Sequence, residues 1–193
     1  MSIKSPAIVS GFLLSANSAV WQSAFFYRGS LAMGIAQEID QQYSAFEAKL
    51  KARQMAVRKV ASDIKDGWVK YLGLNPNAWY DDDGKFKGAR VDIGVGQGKD
   101  FKGQSWTTLP IGRDGAVQFS ISYRLLGQLG DYTLTFDCSV LTAPEGYKVS
   151  VDRVVNDFDV SKADAQEGKF DALFAAMVQA VKLRIDPESV IVH

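Results

Sequence analysis

The chain predicts an α+β fold, and three observations carry that reading. Up to Asn75 the apolar residues recur at steps of three, four or seven, whereas from Val91 to Val151 they recur at every second position. A last apolar stripe at helical spacing follows, from Phe170 to Ile185. The composition, 47% hydrophobic and 23% charged over 193 residues, supplies a core for one domain, or one domain with an appendage. The expected architecture is an N-terminal apolar helix, a long amphipathic helix, and an antiparallel β-meander of four to six strands covered by a C-terminal helix. The expected division is a helical assembly or membrane-association region over 1–75 and a sheet-plus-helix domain over 76–193.

The first element rests on charge. Residues 1–28 hold only Lys4 and Arg28, while 131–193 hold eleven acids against six bases. Ser5 to Tyr27 is 23 residues without a formal charge, long enough to cross a hydrocarbon core of about 30 Å. Its serines, Asn17 and Gln22 weaken a membrane span, and Lys4 with Ala7 to Leu14 also outlines a secretory signal. In a third reading Gly11, Ser15, Ser18, Gln22 and Gly29 stack in one narrow stripe that lets another helix approach closely. These five residues are the expected assembly face, with a buried bundle helix, a membrane span and an uncleaved signal left as alternatives.

Leu31 to Leu72 reads as the long amphipathic helix, with Ile35, Ile39, Tyr43, Phe46, Leu50, Val57, Val60, Ile64 and Trp68 on its apolar side. No proline occurs between Pro6 and Pro76. At 1.5 Å per residue such a helix spans about 63 Å, against about 40 Å for a compact chain of this size. It is expected either to break near Gly29 to Gly34 or at Gly67, or to run past the globule and pair as a coiled coil.

The strands follow from strict alternation. Val91, Ile93 and Val95 form one inward set; Val117, Phe119, Ile121, Tyr123 and Leu125 form the next. Tyr132, Leu134, Phe136, Cys138 and Val140, then Tyr147, Val149 and Val151, complete them, with polar residues between. One face buried and one wet is the mark of an antiparallel sheet. Arg113-Asp114-Gly115, Leu126 to Gly130 and Ala143 to Gly146 carry turn chemistry. Ser161, with Asp164 three residues on, opens the last helix, whose stripe is Phe170, Leu173, Phe174, Met177, Val181 and Ile185. Asp186-Pro187 ends it, and Ser189 to Val192 is long enough for a short edge strand.

Candidate chemistry is thin. His193 is the sole histidine and Cys138 the sole cysteine. Internal disulfides, Cys/His zinc sites and histidine-based triads therefore have no residues to build on, unless the last residue is recruited. A net charge of zero supplies no field for a polyanion, so no specific nucleic-acid partner is expected. Gly94 to Asp100 has glycines before Lys99, but Ile93 and Asp100 stand where a phosphate loop needs glycine and a hydroxyl, leaving a flexible hairpin loop. Asp81-Asp82-Asp83-Gly84 resembles a calcium loop only until Arg90, which stands where the bidentate glutamate belongs. Asp152, Asp157 and Asp159 are the carboxylates available for acid-base work, and Asp137 shares the outward parity of Asp152. Lys51, Arg58 and Lys65 recur every seven residues, a basic interaction stripe or a solvated face.

No cofactor, metal or catalytic residue is assigned. The expected function is that of a non-enzymatic assembly protein. Its helical half engages copies of itself, a protein partner or a membrane, and its sheet presents a binding face. A membrane-tethered or secreted small-ligand domain stands second and an enzyme using carboxylate chemistry third. No compartment is assigned, although cytoplasmic or membrane-associated placement fits better than secretion.

Overall fold

The structure, a computed structural model, describes residues 12–75, 79–80, 86–127, 130–152, 154 and 157–186, with side chains from Gly34 onward except at 79–80 and 86–87. It forms two compact units, Met1–Lys51 and Ala52–His193.

Helix α1 runs unbroken over Phe12–Tyr71, 60 residues, so the two expected helices are one element. In the first unit its apolar side is bare: Ile35, Ile39, Tyr43, Phe46 and Leu50 are 58%, 59%, 60%, 60% and 44% exposed. In the second unit Val57, Val60, Ala61, Ile64, Trp68 and Val69 are buried in the core. Gly67, one of the expected break points, is helical, and a Cβ there would stand 2.8 Å from Phe174 Cζ. The glycine gives the neighbouring ring room, which outweighs its poor helix propensity of about 1 kcal/mol. No helix among the described residues is long and apolar enough to cross a membrane. Residues 5–11 of the uncharged N-terminal stretch lie outside the described residues.

After α1 a two-residue strand β1 (Trp79–Tyr80) pairs antiparallel with β2 (Phe86–Gly88). The main sheet comprises β3 (Val91–Val95), β4 (Lys102–Gly103), β5 (Val117–Leu125), β6 (Tyr132–Thr142), β7 (Gly146–Val151) and β8 (Phe158–Ser161). Its order is β4-β3-β5-β6-β7-β8, every pair antiparallel. The α+β architecture and the antiparallel sheet agree with the alternation in the sequence. One departure from a plain meander occurs at β4, which leaves β3 for the outer edge before the chain returns to β5 on the other side. The return segment is anchored by buried Leu109, whose carbonyl accepts from Arg58 Nε at 2.9 Å, and by Gln118 N donating to the Pro110 carbonyl at 3.1 Å.

The inward face of the sheet carries Tyr123, Leu134, Phe136, Cys138, Val140 and Val149, all buried in one cluster with the end of α1 and the last helix. Trp68 meets Tyr123 edge-on at 6.3 Å and Phe174 at 5.7 Å. The expected last helix is two: α2 (Lys162–Glu167) and α3 (Asp171–Ile185). Gly168, at φ 69°, ends α2 in the left-handed conformation that only glycine adopts without strain. Ser161 caps α2 as expected: Asp164 N donates to its Oγ at 3.0 Å, and the Oγ lies 2.6 Å from Asp164 Oδ2. Of the predicted stripe, Phe170, Leu173, Phe174, Met177 and Val181 are buried, but Ile185 is exposed on the final turn. Ser189 to Val192 lies outside the described residues.

Candidate functional site

Two surfaces merit attention, the bare helix side in the first unit and the outward face of the sheet in the second. On the sheet, the register places Gly94, Ser120 and Asp137 in one row and Gln118, Ser139 and Ser150 in the next. Alternation turns all of these away from the core, yet Ser120 and Ser122 are buried. Both sit on β5, which has a strand on either side, and a short serine there is screened by longer neighbours.

Asp137 ties this surface together. Its Oδ1 accepts from Ser120 Oγ at 2.8 Å, its Oδ2 accepts from Gln97 Nε2, and its backbone carbonyl accepts from Asp152 N at 2.7 Å. Gly98 N adds a bond to Thr135 Oγ1 at 3.3 Å. The glycine-rich loop is thus not a free hairpin tip; it makes a short helical turn over Gly98–Asp100 and is held to β6 by side chains. Beside Asp137 lies an open cleft of about 530 Å³. Pro110 and Gly96 form part of its wall, and Ser120, Ser139, Ser150 and Asp152 also line it.

The cleft offers hydroxyls and carboxylates but little reactivity. Both Asp137 oxygens are occupied by donors. Asp157 accepts from Ser150 Oγ at 2.6 Å and stands 3.6 Å from Lys148 Nζ. Asp159, opposite Lys148 in the β7–β8 register, is exposed. Cys138, one of the residues lining the cleft, is buried, and burial, reinforced by the charges of Asp137 and Asp152, pushes its thiol far above its ordinary range. A neutral, enclosed thiol is a poor nucleophile. Among the described residues no group of three or more His, Cys, Asp or Glu is placed to hold a metal ion.

The other residues singled out by sequence are dispersed. Ser15, Ser18, Gln22 and Gly29 belong to α1 but their side chains, like Gly11 itself, lie outside what is described; so does Asp81 to Gly84. Of the basic stripe, Lys51 is exposed at the end of the first unit. Arg58 is engaged by the Leu109 carbonyl, and Lys65 Nζ pairs with Asp66 at 2.6 Å. Gln97 and Thr135, which clamp the loop, carry no signal in the sequence pattern. The Asp137–Ser120 pair had one, their shared outward parity on neighbouring strands. No known protein family, curated protein or solved structure matches this chain.

Proposed function

We propose that this is a non-enzymatic assembly protein whose helical N-terminal region associates with copies of itself and whose sheet domain is thereby presented in more than one copy. The observation that carries the reading is the bare side of α1. Five large apolar side chains at 44% to 60% exposure follow one another at helical spacing between Ile35 and Leu50. Soluble monomers rarely leave a contiguous apolar strip of that kind in water, and a second helix laid along it removes the exposure. The occupied carboxylates of the cleft and the enclosed Cys138 favour a structural or binding role for the sheet over a catalytic one.

Sedimentation equilibrium of the full chain tests this reading. A mass that is a multiple of 21.1 kDa is expected. Ile39→Lys combined with Phe46→Glu should return it to a single chain without loss of the folded sheet. A wild-type chain that stays single at high concentration without detergent would overturn the reading.

A further inference from the structure

We infer that the self-association surface on α1 is built for antiparallel pairing of two copies through residues 35–51, an inference that rests on the assembly reading above. The argument is the placement of charge beside the apolar strip. Segment 34–47 carries Glu38, Asp40 and Glu47 and no base, whereas 48–51 carries Lys49 and Lys51 and no acid. At 100° per residue, Glu38 and Lys49 fall about 80–100° to one side of the strip's mid-line, and Asp40, Glu47 and Lys51 fall about 80–120° to the other. Each flank thus bears acid toward its N-terminal end and base toward its C-terminal end. All of these residues are exposed, and Glu38 Oε1 accepts from Gln42 Nε2 on its own flank at 3.4 Å.

Orientation follows from symmetry. In an antiparallel pair each flank meets the same flank of the other copy, running the opposite way; in a parallel pair it meets the opposite flank at the same level. With the two-fold axis between Ser44 and Ala45, Ile39 comes level with Leu50 of the second copy and Tyr43 with Phe46. In that register Glu38 approaches Lys49 of the second copy, and Asp40 approaches its Lys51 and its Glu47, each within about 3 Å along the axis, so attractive contacts outnumber repulsive ones two to one. The parallel, in-register alternative sets Glu38 beside Asp40 and Lys49 beside Lys51, like charge against like on both flanks, and only Lys49 beside Glu47 is attractive. Apolar matching alone does not separate the two orientations. Charge does.

Two measurements on the full-length protein test the orientation. Lys49→Glu with Lys51→Glu should weaken self-association at least tenfold by sedimentation. Adding Glu38→Lys and Asp40→Lys, which exchanges the charges, should restore it to within about threefold. Parallel pairing would also be weakened in the first variant, because Lys49 loses its attraction to Glu47, but the exchange would not restore it, since 38 and 40 and likewise 49 and 51 would still set like charges side by side. Spin labels on Ala36→Cys, in a Cys138→Ala background, should lie about 25 Å apart along the axis in the antiparallel pair and at the same level in a parallel one. Association that the charge exchange fails to restore, with labels side by side, overturns the antiparallel inference alone. Absence of association in the wild type overturns the assembly reading as well. All substituted positions but Cys138 are exposed on a helix, and circular dichroism is used to check that each variant is folded.

Discussion

Phe136 and Phe174 are nearly sealed from solvent and sit on opposite layers of the same core, one on the sheet and one on α3. Truncating either to Ala removes a ring and leaves a hole that close-packed neighbours cannot fill, so each should cost roughly 3–5 kcal/mol in urea unfolding. A loss below about 1 kcal/mol would mean the site is open to water. Cys138 makes a prediction of the opposite kind, silent at neutral pH and visible in base. Its folded thiol titrates well above its ordinary value because it is buried, with Asp137 and Asp152 adding to the shift. The unfolded chain releases that proton near pH ~8.5. The contribution is therefore fully present below that pH and is lost as pH rises, by about 1.4 kcal/mol per unit, since only the unfolded state gives up the proton. Between about pH 8 and 10.5 the wild type should lose about 2.5 kcal/mol more stability than Cys138→Ala. Parallel curves would contradict the burial, and so would rapid labelling by a thiol reagent at neutral pH.

Among the elements, strands were the most legible in the sequence because a period of two marks the side that faces the core, although Tyr132, first of the inward set on β6, is exposed and the outward-parity Ser120 and Ser122 are buried. The register of β5 on β6, from Val117 opposite Val140 to Leu125 opposite Tyr132, pairs the two inward sets that alternation defines. Helix ends were legible where a cap marks them, as at Ser161. Ser161→Ala should destabilise by about 1 kcal/mol, read as faster amide exchange at Asp164 and a lower urea midpoint. Glycines were less informative. Gly168 stops a helix and Gly67 does not, and the difference lies in what each touches: Gly168 adopts a left-handed turn, while Gly67 faces the Phe174 ring. The apolar periodicity of α1 was equally silent on burial, since Ile39 and Phe46 follow the same spacing as Ile64 and Trp68 yet stand exposed. The loop clamp was hidden altogether, because Gln97 reaches Asp137 across 40 positions of sequence with no pattern to join them.

For the whole molecule, the second unit is the piece that should fold alone. It begins at Ala52 and takes Val57, Val60, Ile64 and Trp68 from α1 into its core. Residues 52–193 should therefore unfold cooperatively, whereas 76–193 should lack that transition and bind a hydrophobic dye, having lost one layer over the sheet. An equally sharp transition in 76–193 would contradict this account of the core. A further property follows from strand lengths. The inner strands β5 and β6 have nine and eleven residues, but the outermost ones among the described residues, β4 and β8, have two and four. An incoming extended chain meets very few free backbone groups at either border, and β8 passes directly into α2 at Ser161. The sheet is thus a poor template for cross-β stacking. Concentrating the protein on an assembly should bring its sheets close together without seeding amyloid.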